Sequence, residues 1–267
     1  METTTQAEVA QHDAHEQHEG HESQHFLTQY VFSADHKVIG IQYGVTSLIF
    51  LMIGFLLIMA MRWQIANPGV SIPIMGTVLE NIYAHNNAGE SVFKGGVMSA
   101  DAYNQFGAMH GTIMVFLAVV PLGFAAFGNY IVPLQIGAPD MCFPRINMAS
   151  YWSFLVGCTV MTVSFFIPGG AAQAGWTSYS PLASVIPTDG QTYWLLGMVL
   201  LITSSLLGAV NFVATIIQLR APGMTWFRMP FFVWAQFVTA FLLLLAFPPL
   251  EAAGIMQLMD RVADTSF

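Results

Sequence analysis

The chain has 267 residues, of which only 8% are charged and 55% are hydrophobic, and its mean hydropathy is +0.60. A water-soluble domain usually carries about 25% charged residues, so these charges are too few to cover a soluble globule. The net charge of −8 disfavours nucleic-acid binding, because phosphate contacts need Lys and Arg. Two cysteines are too few for a disulfide framework. The composition indicates a membrane protein and argues against a soluble enzyme or a disordered chain.

The first 36 residues differ in kind from the rest. They hold seven of the 15 acidic residues of the chain, and such a segment cannot bury enough apolar surface to fold alone. We interpret residues 1–36 as a disordered, solvated arm on the cytoplasmic side. Histidines spaced three residues apart could instead bind copper or zinc. The histidines concerned are His12, His15, His18, His21 and His25.

Five charge-free runs in residues 37–267 are each long enough for one spanning helix, which needs about 20 apolar residues. The longest run is broken at Pro168-Gly169-Gly170 and also yields one helix. We therefore predict an all-α membrane protein. Its five transmembrane helices are predicted at about 38–62, 103–132, 149–167, 192–219 and 230–255. The segment Trp63–Leu79 contains Pro and Gly and is predicted to be a loop with some interfacial contact.

The placement of Lys and Arg sets the predicted orientation. If the N-terminus is cytoplasmic, four basic residues lie inside and three lie outside. This small excess favours a cytoplasmic N-terminus. The inside residues are Lys37, Arg145, Arg220 and Arg228, and the outside residues are Arg62, Lys94 and Arg261.

His110 is an ionisable residue within a predicted span, where such groups are costly and usually functional. Gly107 and Gly111 flank it and leave room for a large planar group. If the helix starts near Tyr103, His110 lies about 10 Å along it. Two interpretations are open from the residues alone: a heme ligand, or a histidine that joins two helices by a hydrogen bond.

Asp140 follows the second predicted helix, at the cytoplasmic mouth in the favoured orientation. It could form an ion pair with Arg145 in a short loop, or it could collect protons. Several uncharged polar residues lie deeper on the same side. They could hold a chain of water that conducts protons, or hydrogen-bond one helix to another. They are Asn129, Asn147, Asn211, Ser204 and Ser205.

Six motifs between about Ser33 and Phe267 carry a specific family resemblance. They are DHKVIG at 35–40, MHGTIM at 109–114, FGNYIVPLQIGAPDM at 127–141, GWTSYSPL at 175–182, NFVATI at 211–216 and RAPGMT at 220–225. In order and spacing they resemble the N-terminal half of subunit I of heme–copper oxidases, closest to cytochrome c oxidase. The resemblance implies that the five helices form part of a twelve-helix bundle.

The resemblance implies a role for each matching residue. His110 corresponds to an axial ligand of the low-spin heme, which is expected to be heme A. Arg62 corresponds to the arginine that hydrogen-bonds the formyl group of that heme, and Tyr103 and Trp176 lie near its propionates. Asp140 corresponds to the entrance of the D proton channel. The asparagines and polar lining of that channel correspond to Asn129, Asn147, Asn211, Tyr43, Ser204 and Ser205.

The resemblance also implies a function and partners. We expect part of a proton-pumping terminal oxidase of the bacterial cytoplasmic membrane, which couples cytochrome c oxidation to the reduction of oxygen to water. Subunit II with a copper centre, subunit III, cytochrome c and the lipid bilayer are the expected partners, with no nucleic acid. The second heme, copper B and the oxygen-reducing centre are expected on the remaining helices of subunit I. The alternatives are a quinol oxidase of the same superfamily, which tends to have Ala-Arg-Asp where this chain has Ala138-Pro139-Asp140, and a non-heme membrane scaffold or transporter.

Two local departures and the chain end complete the comparison. Gln64 stands where many members have a Glu that helps bind Ca or Na, which puts that site in doubt, and Met148 replaces an Asn. The motif order ends before the copper-binding sixth helix. We expect either a piece of a longer subunit or one chain of a split subunit, and the intact mass of the purified subunit distinguishes them.

Overall fold

The computed structural model describes residues 26–83, 91–184 and 188–267. The histidine cluster of the predicted arm, at residues 12–25, lies outside the described residues. The chain divides into two units, of which the first ends at Ser33 and the second is Ala34–Phe267. In the first unit a single π-helical turn covers Leu27–Val31. All elements below belong to the second unit.

Five helices of the described chain are long and apolar enough to cross a membrane. The prediction of a helical protein with five membrane spans is therefore confirmed. The shortest span has 23 residues, or about 35 Å, which exceeds a hydrocarbon core of about 30 Å. The spans are α1 (His36–Ala66), α3 (Ala100–Ile136), α4 (Pro144–Phe166), α5 (Gly190–Gln218) and α6 (Phe231–Val262).

Most of these helices extend beyond the predicted ranges. Asp101, Arg145 and Arg261 lie in their end turns, whereas the predicted spans were placed on charge-free runs and left these three residues out. The start of α1 shows the local cause. Asp35 is the N-cap, and its Oδ1 accepts hydrogen bonds from the backbone N–H groups of Lys37 and Val38. His36 is therefore the first residue of α1 and is buried.

The connection between α1 and α3 contains structure that the sequence did not predict. Trp63–Leu79 was predicted to be a loop, which is wrong at both ends. α1 continues to Ala66, and the amphipathic helix α2 occupies Met75–Ile82. An antiparallel pair of short strands follows, β1 (Phe93–Lys94) and β2 (Val97–Met98). An eight-residue helix falls below the length sought for a span, which explains why it was missed.

The five spans alternate in direction, so their connections alternate between two sides of the bundle. We call these the α1–α3 side and the α3–α4 side. α4 packs closely on α5, α5 on α6, and α1 on α3. At the α4–α5 contact a Cβ built on Gly157 would lie 3.0 Å from the carbonyl oxygen of Gly197. Small residues thus let the two backbones touch, as is common between membrane helices.

α3 is irregular in its middle. It is α-helical over Ala100–Thr112 and Phe127–Ile136, with π-helical segments at Ile113–Val119 and Pro121–Ala126. Proline has no N–H to donate, so a widened segment accommodates Pro121 better than regular α-helix. His110 precedes the π-helical region and Asn129 follows it. π-helical turns are often found at functional sites.

A chain of hydrogen bonds joins two connections on the α1–α3 side to the first turns of α3. The Tyr83 hydroxyl donates to Gln105 Oε1 in the first turns of α3, and Gln105 Nε2 donates to the Gly169 carbonyl at 2.9 Å. Burial raises the pKa of the Tyr83 phenol, so it remains a neutral donor at physiological pH. Two connections are thereby fixed to α3 near His110.

Candidate functional site

The His110 imidazole is oriented by the backbone of α1. Its Nδ1 lies 2.8 Å from the Gly54 carbonyl oxygen. Because a carbonyl oxygen can only accept, Nδ1 carries the hydrogen and Nε2 keeps its lone pair. A hydrogen bond of this kind fixes the tautomer and orientation of metal-binding histidines. The ring is therefore held as a ligand for a metal ion would be.

Side chains of α3 pack closely against Gly54 of α1. A Cβ built there would lie 2.7 Å from Met114 Sδ of α3. The glycines that flank His110 differ from each other. A Cβ on Gly107 would lie 3.2 Å from Met61 Cε, whereas nothing lies within 4 Å of one on Gly111. The open space beside Gly111 and the available Nε2 fit a heme ligated by His110.

The other three residues predicted around the heme lie in α3, in α1 and in a loop that packs on α3. Tyr103 is two turns before His110 on the same face of α3, and Arg62 is exposed about two turns beyond Gly54 in α1. The Trp176 ring is 51% exposed, with its centroid 6.1 Å from that of Phe116 in α3. Among the described residues no hydrogen bond links Arg62 or Trp176 to His110.

The loop that carries Trp176 is anchored by a residue that the sequence analysis missed. Ser178 Oγ donates to Gln257 Oε1 of α6 at 2.6 Å and accepts from Gln191 Nε2 of α5 at 2.8 Å. Gln257 Nε2 donates to the Ser178 carbonyl at 2.9 Å. The φ of Ser178 is +52°. Two glutamines just outside the ends of predicted spans were the available signal, but nothing in the sequence shows that both meet the same loop residue.

Asp140 lies on the α3–α4 side in the loop that follows Gly137. It is partly exposed, and its Oδ1 accepts a hydrogen bond from the Met141 N–H at 2.6 Å. Within residues 91–184 no ion pair joins Asp140 to Arg145, so the ion-pair alternative is not seen. A partly exposed carboxylate at a helix connection can exchange protons with bulk water.

Asn211 fixes this loop to α5. Its Oδ1 accepts from the Phe143 N–H at 2.9 Å, and its Nδ2 donates to the Phe143 carbonyl at 3.1 Å. One turn further along α5, Thr215 Oγ1 accepts from the Cys142 N–H at 2.9 Å. Asn211 is therefore a structural anchor for the segment that carries Asp140.

Asn147 and Asn129 are buried with unpaired amide atoms. In the described structure neither Oδ1 nor Nδ2 of Asn147 has a hydrogen-bond partner, and the same is true of Asn129 Oδ1. Asn129 Nδ2 donates to the Ala125 carbonyl at 2.8 Å. A buried polar atom without a partner costs about 1–3 kcal/mol. Ordered water commonly satisfies such atoms.

A small cavity of about 20 Å³ continues from Asn129 into the bundle. That volume is large enough for one water molecule. The polar residues that line it belong to four helices and include most of the predicted channel lining. They are Tyr43, Asn129, Ser150, Ser204 and Ser205.

The same hydroxyl groups also join helices. The Tyr43 hydroxyl donates to Ser150 Oγ at 3.1 Å and lies 3.0 Å from Ser204 Oγ. Ser150 Oγ donates to the Asn147 carbonyl at 2.7 Å. Helix joining is therefore seen, and it does not exclude a water path along the same side chains. Ser150 was missed by the sequence analysis, although it lies one turn from Asn147.

Gln64 has a partner in the strand pair. Its Oε1 accepts a hydrogen bond from the Met98 N–H at 3.1 Å, and Glu80 Oε1 accepts from the Gly95 N–H at 2.9 Å. Both side chains thus bind the hairpin backbone. In the part of the chain that the structure describes, no group of three or more His, Cys, Asp or Glu residues could hold a metal ion.

Most of the chain is similar to proteins of one known family. Residues 38–267 match the family described as cytochrome C and quinol oxidase polypeptide I. A probable cytochrome c oxidase subunit 1-alpha of Streptomyces coelicolor is 43% identical over 87% of this chain. Cytochrome c oxidase subunit 1 of Thermostichus vulcanus is 42% identical over 89%. An alternative cytochrome c oxidase subunit 1 of Bradyrhizobium diazoefficiens is 39% identical over 90%.

The matches cover only part of these relatives. The aligned region is 36% of the Streptomyces protein, 38% of the Thermostichus protein and 37% of the Bradyrhizobium protein. This chain therefore spans little more than a third of the length of the relatives it matches.

Proposed function

The chain belongs to the cytochrome c and quinol oxidase polypeptide I family, and on that premise we propose that it is part of the catalytic subunit of a proton-pumping terminal oxidase. The enzyme would couple cytochrome c oxidation to the reduction of oxygen to water in a bacterial cytoplasmic membrane. One observation carries the proposal. A single bundle holds a histidine with an available Nε2 towards one side and, on the other, the partly exposed Asp140 followed by buried polar groups.

In this proposal His110 is an axial ligand of a low-spin heme, proposed to be heme A. When bound, such a heme would supply one-electron transfer. The Gly54 carbonyl accepts the His110 Nδ1 hydrogen, so Nε2 would be available to hold the heme iron. Arg62 would hydrogen-bond the polar edge of the heme, and Tyr103 and Trp176 would lie near its propionates.

The proposed proton path is the D channel. Asp140 takes up protons from the aqueous side, and Asn211 positions its loop. The unpaired amide atoms of Asn147 and Asn129 hold water. Beyond them Tyr43, Ser204 and Ser205 line the cavity that continues the path. Since hydroxyl groups both donate and accept, they can pass a proton along a chain of water.

The rest of the enzyme would supply what this chain lacks. We propose that the remaining helices of subunit I provide the second heme and copper B, that subunit II provides a copper centre, and that subunit III completes the complex. The transmembrane domain would begin with α1 at His36, one residue before the predicted boundary, and the segment before Asp35 would form a cytoplasmic arm. A quinol oxidase is the second candidate, because the family includes quinol oxidases. A copper-binding subunit II in the purified complex would identify cytochrome c as the donor.

The heme assignment is tested by His110→Ala in the assembled enzyme. Methyl cannot ligate iron, so the low-spin heme absorption should be lost. His36→Ala is the matched control, because the Nδ1 of His36 also meets a helix carbonyl, that of Asn129 at 2.8 Å. We expect the control to keep the low-spin signal. A folded His110→Ala enzyme with the full signal would contradict the assignment.

The proton path is tested by Asp140→Asn in the same enzyme. The amide has nearly the same shape but cannot collect and release protons at pH 7. We expect strongly slowed oxygen reduction or loss of pumping, with the heme spectrum intact. Turnover and pumped protons per electron that both match the wild type would show that Asp140 is not the entrance.

A further inference from the structure

The short helix α2 and the residue before it carry a row of apolar side chains on the outward face. Ile74, Val78 and Ile82 follow one another at intervals of four residues, so they form one line along the helix. Ile74 is 90% exposed, and the other two are each more than half exposed. We call these three residues the α2 row. Contiguous exposed apolar side chains mark interaction sites, so the row indicates a contact outside the described chain.

The backbone at the start of the row is strained. The φ of Ile74 is +62°, which is rare for a β-branched residue. Strain of this kind persists only where the surrounding structure imposes it, and it clusters at functional positions. Here it falls on the residue of the row whose side chain is the most exposed. The fold thus maintains an unfavourable conformation while it presents Ile74 at the surface.

The inward face of α2 is occupied by the strand pair. A Cβ built on Gly76 would lie 2.7 Å from the Gly96 carbonyl oxygen, so the two backbones are in contact. The only charged residue of α2 is Glu80, and its Oε1 accepts a hydrogen bond from the Gly95 N–H. The row therefore cannot turn inward, and the single charge of the helix is held by the hairpin.

The outward face of α2 has an apolar flank and a polar flank. Thr77 and Asn81 are exposed and lie along one edge of the row, since successive residues are about 100° apart around a helix. Neither residue is charged. This division is typical of a helix that lies at a boundary between lipid and water.

α2 is held at the level where α1 leaves the membrane. α1 has 31 residues and is roughly 45 Å long, so its end turns extend beyond a hydrocarbon core of about 30 Å. Trp63 lies in the last turns of α1, and its Nε1 donates to the Ser71 carbonyl at 3.1 Å, just before α2. Tryptophan is enriched at membrane–water interfaces. Ile65, close to the end of α1, is also exposed.

We propose that α2 is an interfacial helix, whose α2 row enters the phospholipid layer while Thr77 and Asn81 face water. Such helices bury their apolar face about 5–10 Å into the boundary between headgroups and acyl chains. Because the outward face has no basic residue, the partner is phospholipid in general and not an anionic headgroup. The contact anchors the connection that leads to Tyr83 and its hydrogen bond with Gln105. It requires the membrane-spanning fold but neither heme nor proton transfer.

The first test uses the purified complex that contains this chain, in phosphatidylcholine nanodiscs, with Cys142 and Cys158 replaced by Ala. The fluorophore bimane is attached to Val78→Cys, Ile82→Cys or Thr77→Cys. Phosphatidylcholine with a doxyl group near the headgroup should quench the fluorescence at Val78→Cys and Ile82→Cys several-fold more than at Thr77→Cys. Aqueous iodide should give the reverse order.

Two results of this test would overturn the proposal. Iodide quenching at Val78→Cys that equals the quenching at Thr77→Cys would place the α2 row in water. If neither quencher reaches Val78→Cys and Ile82→Cys, another protein subunit covers the row instead of lipid.

The second test compares a buried with an unburied charge by hydrogen exchange in the same nanodiscs. Val78→Asp should expel the α2 row from lipid. A helix of eight residues is marginal without external support, so its backbone amides should then exchange several-fold faster. Thr77→Asp is the matched control, because it places the same charge one residue away on the polar flank. Equal exchange rates in the two variants would show that the bilayer does not support α2.

Discussion

Two asparagines of the same predicted row differ in what their amide groups do. Both atoms of the Asn211 amide bind the backbone of Phe143, whereas neither atom of the Asn147 amide has a partner among the described residues. The sequence identified both as polar residues at similar depth. It could not separate an amide that anchors a loop from one without a protein partner, because the partner of each amide is set by tertiary packing.

This difference predicts that the same Asn→Leu substitution affects stability at position 211 and proton uptake at position 147. Asn211→Leu should destabilise the protein by about 1–3 kcal/mol, because two buried backbone groups lose their partners. Asn147→Leu loses no protein hydrogen bond and should leave thermal stability nearly unchanged, while proton uptake slows. Thermal unfolding and proton-uptake kinetics of the two purified variants measure both effects. Equal destabilisation by both would show that the Asn147 amide is structurally bonded.

At the scale of elements, the sequence predicted the five spans because long charge-free runs are a direct consequence of the bilayer. It did not predict α2, since an eight-residue amphipathic helix has no such run. It identified His110 through its depth and flanking glycines. It could not identify the Gly54 carbonyl as the partner of His110, because nothing in the α1 sequence marks which backbone group meets a side chain of α3.

The contact between α1 and α3 gives a prediction about Gly54. In Gly54→Ala the new methyl group would lie 2.7 Å from Met114 Sδ and 3.3 Å from Ile113 Cγ2, so these side chains must shift or α1 must move away from His110. We expect destabilisation of about 1–3 kcal/mol and a shifted or weakened low-spin heme spectrum. Gly44→Ala is the control on the same helix, since its methyl group would meet Ala126 Cβ at an ordinary 3.7 Å. If the two variants have the same spectrum and stability, Gly54 does not control the histidine.

At the scale of the whole molecule, the basic residues fall on two sides. Lys37, Arg145, Arg220 and Arg228 lie at helix ends or connections on the α3–α4 side. The other three, Arg62, Lys94 and Arg261, lie on the α1–α3 side. The excess follows the rule that positive charge stays inside, which favours a cytoplasmic α3–α4 side.

This orientation predicts the labelling of introduced cysteines. After replacement of Cys142 and Cys158 by Ala, Thr225→Cys should react with a membrane-impermeant thiol reagent only in inverted vesicles. Thr77→Cys, on α2, should react only in right-side-out cells. Both positions are exposed, so accessibility within the fold does not decide the result. The reverse pattern would invert the topology and place Asp140 outside.

The π-helical region of α3 makes the deletion of a single codon there more damaging than the sequence of the site residues would suggest. A π-helical turn takes up one more residue than an α-helical turn, so Ile113–Val119 and Pro121–Ala126 set how far the His110 half is rotated against the Asn129 half. Loss of one codon there would leave every named site residue, the hydropathy and a sufficient span length unchanged. It would nevertheless turn the two halves relative to each other, so His110 and Asn129 could no longer both face the Gly54 carbonyl and His36 of α1.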